Sequence, residues 1–85
     1  MAKNEAVYEA AMKRGRDFMV AERWPEAFKA YRTAVSQSPR NPVAYAGLGE
    51  ACLGLKQLDK ALDCFKLAAK YSKGGLVYLR KVADI

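Results

Sequence analysis

The hydrophobic positions of the chain fall into amphipathic helical stretches separated by short breaks, and no stretch has the alternation typical of a β-strand. Asn41-Pro42 predicts the start of a helix, because asparagine caps helices well and proline fits a first turn. Gly74-Gly75 predicts the end of another helix. The chain is therefore expected to be all-α, with five helices joined by short connections. Their approximate bounds are residues 5–21, 25–37, 42–55, 59–72 and 76–84.

The sequence also repeats with a period of 34 residues. Shifting it by that length superimposes small residues on small ones and large residues on large ones. Between residues 8–41 and 42–75 the identical pairs are Ala10 and Ala44, Gly15 and Gly49, Ala27 and Ala61, Ala34 and Ala68, and Ser38 and Ser72. Periods of this length are typical of stacked helical pairs. We predict one domain over residues 1–85, with antiparallel helical pairs at about 8–41 and 42–75 and a closing helix at 76–85.

Each pair needs a place where its two helices cross closely. We expect Gly15 to meet Ala27 in the first pair and Gly49 to meet Ala61 in the second, because short side chains let two backbones approach. Gly47 and Gly54 each cost a helix roughly 1 kcal/mol relative to alanine. Two interpretations of these glycines stay open, namely tight packing within the array and close approach of a ligand.

The residues at the repeated positions resemble the tetratricopeptide repeat. The second pair matches the pattern of that family through Tyr45, Leu48, Gly49, Ala61, Phe65 and Ala68. The first pair matches through Gly15, Phe18, Ala27, Tyr31, Ala34 and Pro39. The first pair departs from the pattern at Ala11 and Arg14, where the family has a bulky residue and leucine, and Lys73 replaces the closing proline of the second. The resemblance implies a right-handed α-solenoid.

The same resemblance implies a protein-protein interaction scaffold, with a groove lined by the first helix of each pair that binds a peptide or helix of a partner. The groove residues that it implies are Met12, Lys13, Arg16, Met19, Ala46, Gly47, Glu50, Leu53, Arg80 and Lys81. Basic side chains at the edges of this groove predict a partner segment with acidic and apolar residues.

The net charge of +6 keeps other partners open. Four basic residues recur along the second helices and could face nucleic acid, namely Lys29, Arg32, Lys66 and Lys70. The pattern assigns the aromatic residues to the core, so nucleic acid is the less favoured alternative. Self-association through the C-terminal helix, as a homodimer or within a larger protein, is a further alternative. No apolar run is long enough to cross a membrane, so we expect a cytoplasmic protein without membrane contact.

The sequence offers little for catalysis. Histidine is absent, the acids are scattered among bases, and Gly47 and Gly49 lie within a predicted helix, not in a phosphate-binding loop. Cys52 and Cys64 lack the spacing of a zinc or redox motif. We therefore expect no enzymatic activity, no metal and no cofactor. Buried free thiols are favoured for the two cysteines, with a regulatory disulfide as the alternative.

Overall fold

A computed structural model of the chain describes residues 4–72, and these residues form four α-helices without any strand. The helices are α1 (Glu5–Val20), α2 (Trp24–Gln37), α3 (Pro42–Gly54) and α4 (Leu58–Tyr71). Each lies within one residue of its predicted start and end, so the all-α prediction is confirmed for this part of the chain. The predicted count of five is not reached, because the fifth helix, at 76–84, lies outside the described residues.

Asparagine side chains begin two of the helices. The side-chain oxygen of Asn4 accepts a hydrogen bond from the backbone N–H of Val7 at 3.2 Å. The corresponding oxygen of Asn41 accepts one from Val43 at 2.9 Å, and Pro42 follows in the first turn as predicted. Both contacts satisfy backbone donors that the first turn of a helix leaves unpaired.

The turn inside each helical pair is the same in both pairs. Glu22 and Lys56, which are 34 residues apart, both have a φ of 59°. Around Glu22, the N–H of Arg23 donates to the carbonyl of Phe18 at 2.8 Å, and around Lys56 the equivalent bond has a length of 2.9 Å. This pattern ends a helix on a left-handed residue, a position that usually holds glycine. These turns were not predicted from the sequence, because neither position is a glycine.

Substitution at Lys56 tests this backbone strain. A left-handed conformation costs an ordinary residue roughly 1–2 kcal/mol, part of which glycine regains. We therefore expect Lys56→Gly to raise the free energy of unfolding by about 0.5–1 kcal/mol, as measured by urea denaturation. Lys56→Val is the matched control and should lower the free energy of unfolding, since β-branched residues avoid this conformation. The opposite order of the two variants would contradict the assignment of the turn.

Glycines in α1 and α3 contact aromatic rings from the second helix of their own pair. A Cβ atom at Gly15 would lie 2.7 Å from the Tyr31 ring, and one at Gly49 would lie 2.9 Å from the Phe65 ring. The side chain nearest to the open side of each glycine is therefore aromatic. The predicted contacts of Gly15 with Ala27 and of Gly49 with Ala61 stay predictions. The alanines are fully buried, but the space left by each glycine is filled by the larger side chain.

The two pairs are joined by contacts of α2 with α3. Tyr31 reaches Gly47 as well as Gly15, and a Cβ at Gly47 would lie 2.5 Å from its ring. Trp24, at the start of α2, occupies the side of Gly54 at the end of α3. Aromatic rings of α2 therefore fill the space beside both glycines. This contact favours tight packing within the array over close approach of a ligand. Helix α3 is covered from two sides, and Ala44, Ala51 and Cys52 in it are fully buried.

The Gly47 contact can be tested by adding one methyl group. Gly47→Ala should lower the free energy of unfolding by about 1–3 kcal/mol, because the Tyr31 ring is held on its other side by Gly15 and cannot yield easily. Alanine's better helix propensity, worth about 1 kcal/mol, would by itself act in the opposite direction. In a Tyr31→Ala background the same change should be neutral or stabilising, and a double-mutant cycle in urea measures this coupling. Additive effects would contradict the contact.

Candidate protein-binding groove

Helices α1 and α3 lie side by side and point the same way, since each is antiparallel to α2. Near their starts, the Asn41 side-chain amide donates a hydrogen bond to the Tyr8 hydroxyl at 2.6 Å. Halfway along, Tyr31 touches Gly15 of α1 and Gly47 of α3. A depression of about 480 Å³, which we call the groove, lies mainly along α1 and borders the start of α3. Its lining consists of Tyr8, Glu9, Ala10, Met12, Lys13, Arg16 and Val43.

Three of the predicted site residues come together in this groove. Lys13 and Arg16 are exposed at its rim, whereas Met12 is only 6% exposed and belongs mainly to the core. Met19, two turns further along α1, is half-buried against the core. On the α1 side, the two predicted cations are therefore exposed, whereas the two predicted methionines are buried or half-buried.

The predicted residues of α3 do not line this depression. Glu50 and Leu53 are exposed, and Ala46 and Gly47 are half-buried. Arg80 and Lys81 lie outside the described residues. Tyr8 was missed by the sequence analysis, although its spacing of four residues from Met12 places both on one side of α1.

Opposite charges flank the hydroxyl group of Tyr31. Burial raises the pKa of this hydroxyl, the positive charge of Arg16 acts in the lowering direction, and the negative charge of Glu50 adds to the rise. Arg16 and Glu50 occupy equivalent positions in the two pairs. The Tyr31 hydroxyl thus lies near a cation of α1, Arg16, and near an anion of α3, Glu50.

The rim cations have no acidic partner within residues 4–72. The ion pair found in this range joins Arg23 to Glu26 at 3.1 Å, at the exposed start of α2. Lys13 and Arg16 each lack a carboxylate within 4 Å there, although Glu9 lines the same groove.

The basic side chains on the outer side of α2 and α4 are arranged differently. The Arg32 guanidinium lies 5.8 Å from the centre of the Phe28 ring, and Lys70 lies 5.5 Å from that of Tyr71. The hydroxyl groups of Thr33 and Ser36, beside Arg32, donate to carbonyl oxygens of their own helix. This surface has cations resting on single aromatic rings, and it has no row of exposed rings on which bases could stack.

The two cysteines are buried thiols, without a metal-binding cluster around them in residues 4–72. Cys52 and Cys64 are free and buried, and no group of three or more metal-binding side chains occurs in the described part of the chain. Burial, followed by the proximity of Cys52, raises the pKa of the Cys64 thiol to about 12. A thiol with so high a pKa is a poor nucleophile near neutral pH. In residues 4–72 we also find no helix long and apolar enough to span a membrane.

The raised pKa of Cys64 predicts a loss of stability at alkaline pH. The thiol has an ordinary pKa of 9.0 and a folded pKa of about 12, so between these values the unfolded chain releases a proton that the folded chain retains. Rising pH then favours unfolding. We expect the urea midpoint to fall as the pH rises from about 9 towards 12, and Cys64→Ala to flatten this decline. An unchanged slope in the variant would assign the decline to other groups.

The described residues form repeated helical pairs with the same turn in each pair. The family model of the tetratricopeptide repeat matches residues 19–80, which is more than half of the chain. The chain belongs to the tetratricopeptide-repeat family. No curated protein and no solved structure is significantly similar to it. Tetratricopeptide repeats generally mediate protein-protein interactions and are typically non-enzymatic scaffolds, and the sequence-based prediction of a scaffold is supported to that extent.

Proposed function

We propose that this tetratricopeptide-repeat domain binds an extended segment of another protein in the groove between α1 and α3. The observation that carries the proposal is the pair of exposed cations, Lys13 and Arg16, beside the apolar side chains of Met12 and Val43 in one depression. Carboxylates of a partner would form charge-assisted hydrogen bonds with the cations. The proposed role is non-catalytic and cytoplasmic.

The apolar part of the partner segment would lie further along the same face. Met19 is half-buried on α1, and Leu53 is 37% exposed at the equivalent position of α3. The rise along the axis of α1 from Lys13 to Met19 is about 9 Å, at 1.5 Å per residue. An extended chain covers this length in about three residues. The proposed ligand therefore has an acidic residue and, about three positions away, an apolar residue. Glu9 at the other end of the groove disfavours a second acidic residue there.

Charge reversal tests the proposal. Lys13→Glu with Arg16→Glu should abolish capture of the partner, because the groove would then repel carboxylates. Affinity pull-down followed by mass spectrometry, with the wild type and the variant side by side, identifies the proteins that only the wild type retains. Calorimetry with a purified candidate should then show at least a tenfold loss of affinity, equal to about 1.4 kcal/mol. Circular dichroism should show unchanged helix content and melting.

Lys29→Glu with Arg32→Glu is the matched control, since it reverses the same number of charges on the outer side of α2. This control should leave capture of the partner unchanged. Equal capture by the wild type and the groove variant would contradict the proposal. Salt-dependent retention of the wild type on DNA or RNA, lost in the control variant, would instead favour the nucleic-acid alternative.

A further inference from the structure

The side of α3 that faces α2 carries no charged side chain. Gly47 and Gly54 face rings of α2, and Ala44, Leu48 and Ala51 share a core cluster with residues of α2. Ala44 and Ala51 are fully buried, Leu48 is 9% exposed, and the two glycines face the rings of Tyr31 and Trp24. Helix α2 can stack on α3 because this side is apolar and has room for two aromatic rings.

The equivalent side of α1 differs at most of these positions. The residues found 34 positions earlier are Ala10, Lys13, Arg14, Asp17 and Val20. All five are exposed, and Val20 is 87% exposed. Three charged side chains thus stand where α3 has glycine, leucine and alanine.

We infer that this side of α1 closes the helical array: it does not accept a further helical pair, or a second copy of this chain, stacked as α2 stacks on α3. At Gly47 a single Cβ would already lie 2.5 Å from the Tyr31 ring, so the longer side chain of Lys13 would occupy the place of an incoming ring. Burial of Lys13, Arg14 and Asp17 under an apolar helix would also remove their charges from water.

A neighbouring depression supports this inference. Phe28 of α2 packs against the core cluster of the second pair, which contains Cys52. The residue equivalent to Cys52 is Phe18, which lines a depression of about 180 Å³ together with the charged side chains of Arg14, Glu26 and Lys29. An incoming aromatic residue would therefore meet hydrated charges at this place too. Head-to-tail stacking of two copies through α1 is excluded, and the groove stays open beside Lys13.

The test lengthens the full chain by a second copy of residues 8–41, inserted directly before Tyr8 so that the spacing of the helices is kept. In the unaltered sequence the inserted pair should remain unstacked and unfolded, because one helical pair cannot bury its apolar side alone. The urea midpoint and the m-value should then equal those of the 85-residue chain. Stacking would raise m about 1.4-fold, in proportion to the added residues, because m grows with the surface exposed on unfolding.

A matched extended chain carries the α3-like residues in the receiving pair, through Lys13→Gly, Arg14→Leu, Asp17→Ala and Val20→Gly. In this chain the inserted pair should stack on α1. Its m-value should then be higher than that of an unextended chain with the same four substitutions. Should the substituted chains not fold, the unaltered extension decides alone. A raised midpoint and an increased m in the unaltered extension would overturn the inference. If the substituted chains fold and the extension still does not raise the m-value, these four residues are not what prevents stacking. That result would also overturn the inference.

Discussion

The packing of this molecule depends on one aromatic side chain that reaches two helices. Tyr31 extends from α2 and touches the backbone of α1 at Gly15 and that of α3 at Gly47. Packing within the first pair and packing between the pairs therefore share the same ring. Each glycine destabilises its helix by about 1 kcal/mol relative to alanine. Burial of the ring stabilises the fold by roughly 2–3 kcal/mol, which exceeds the cost of one glycine. Phe65 plays the corresponding part against Gly49 in the second pair.

Much of the fold could be predicted because its signals are local. Helix starts at Asn41 and ends near the predicted breaks follow from capping chemistry, and the period of 34 residues identifies the pairs. The aromatic ring beside each glycine could not be predicted from the pattern, because its position depends on the crossing angle and rotation of two helices. The Tyr31 ring, one turn beyond Ala27 on α2, reaches the open side of Gly15.

The candidate site was predicted more clearly in its charges than in its floor. Lys13 and Arg16 come together as expected, since residues three apart share one side of a helix. Met12 stands next to Lys13, about 100° away around α1, and the rotation of this helix turns Met12 to the core and Lys13 to the surface. The role of Gly47 was ambiguous for a similar reason, because a missing side chain does not reveal the side on which a neighbour takes its place. Tyr8 lies outside the repeated positions that carry the family resemblance.

The position of Trp24 has a consequence for spectroscopy. It is the one tryptophan of the chain, and its ring lies on Gly54, at the junction between the two helical pairs. Its fluorescence therefore senses the junction, whereas far-ultraviolet circular dichroism senses helix content. If the pairs separate while each keeps its helices, the emission shifts to the red before the dichroism changes. Trp24 fluorescence, compared with circular dichroism, thus distinguishes separation of the two pairs from unfolding of their helices.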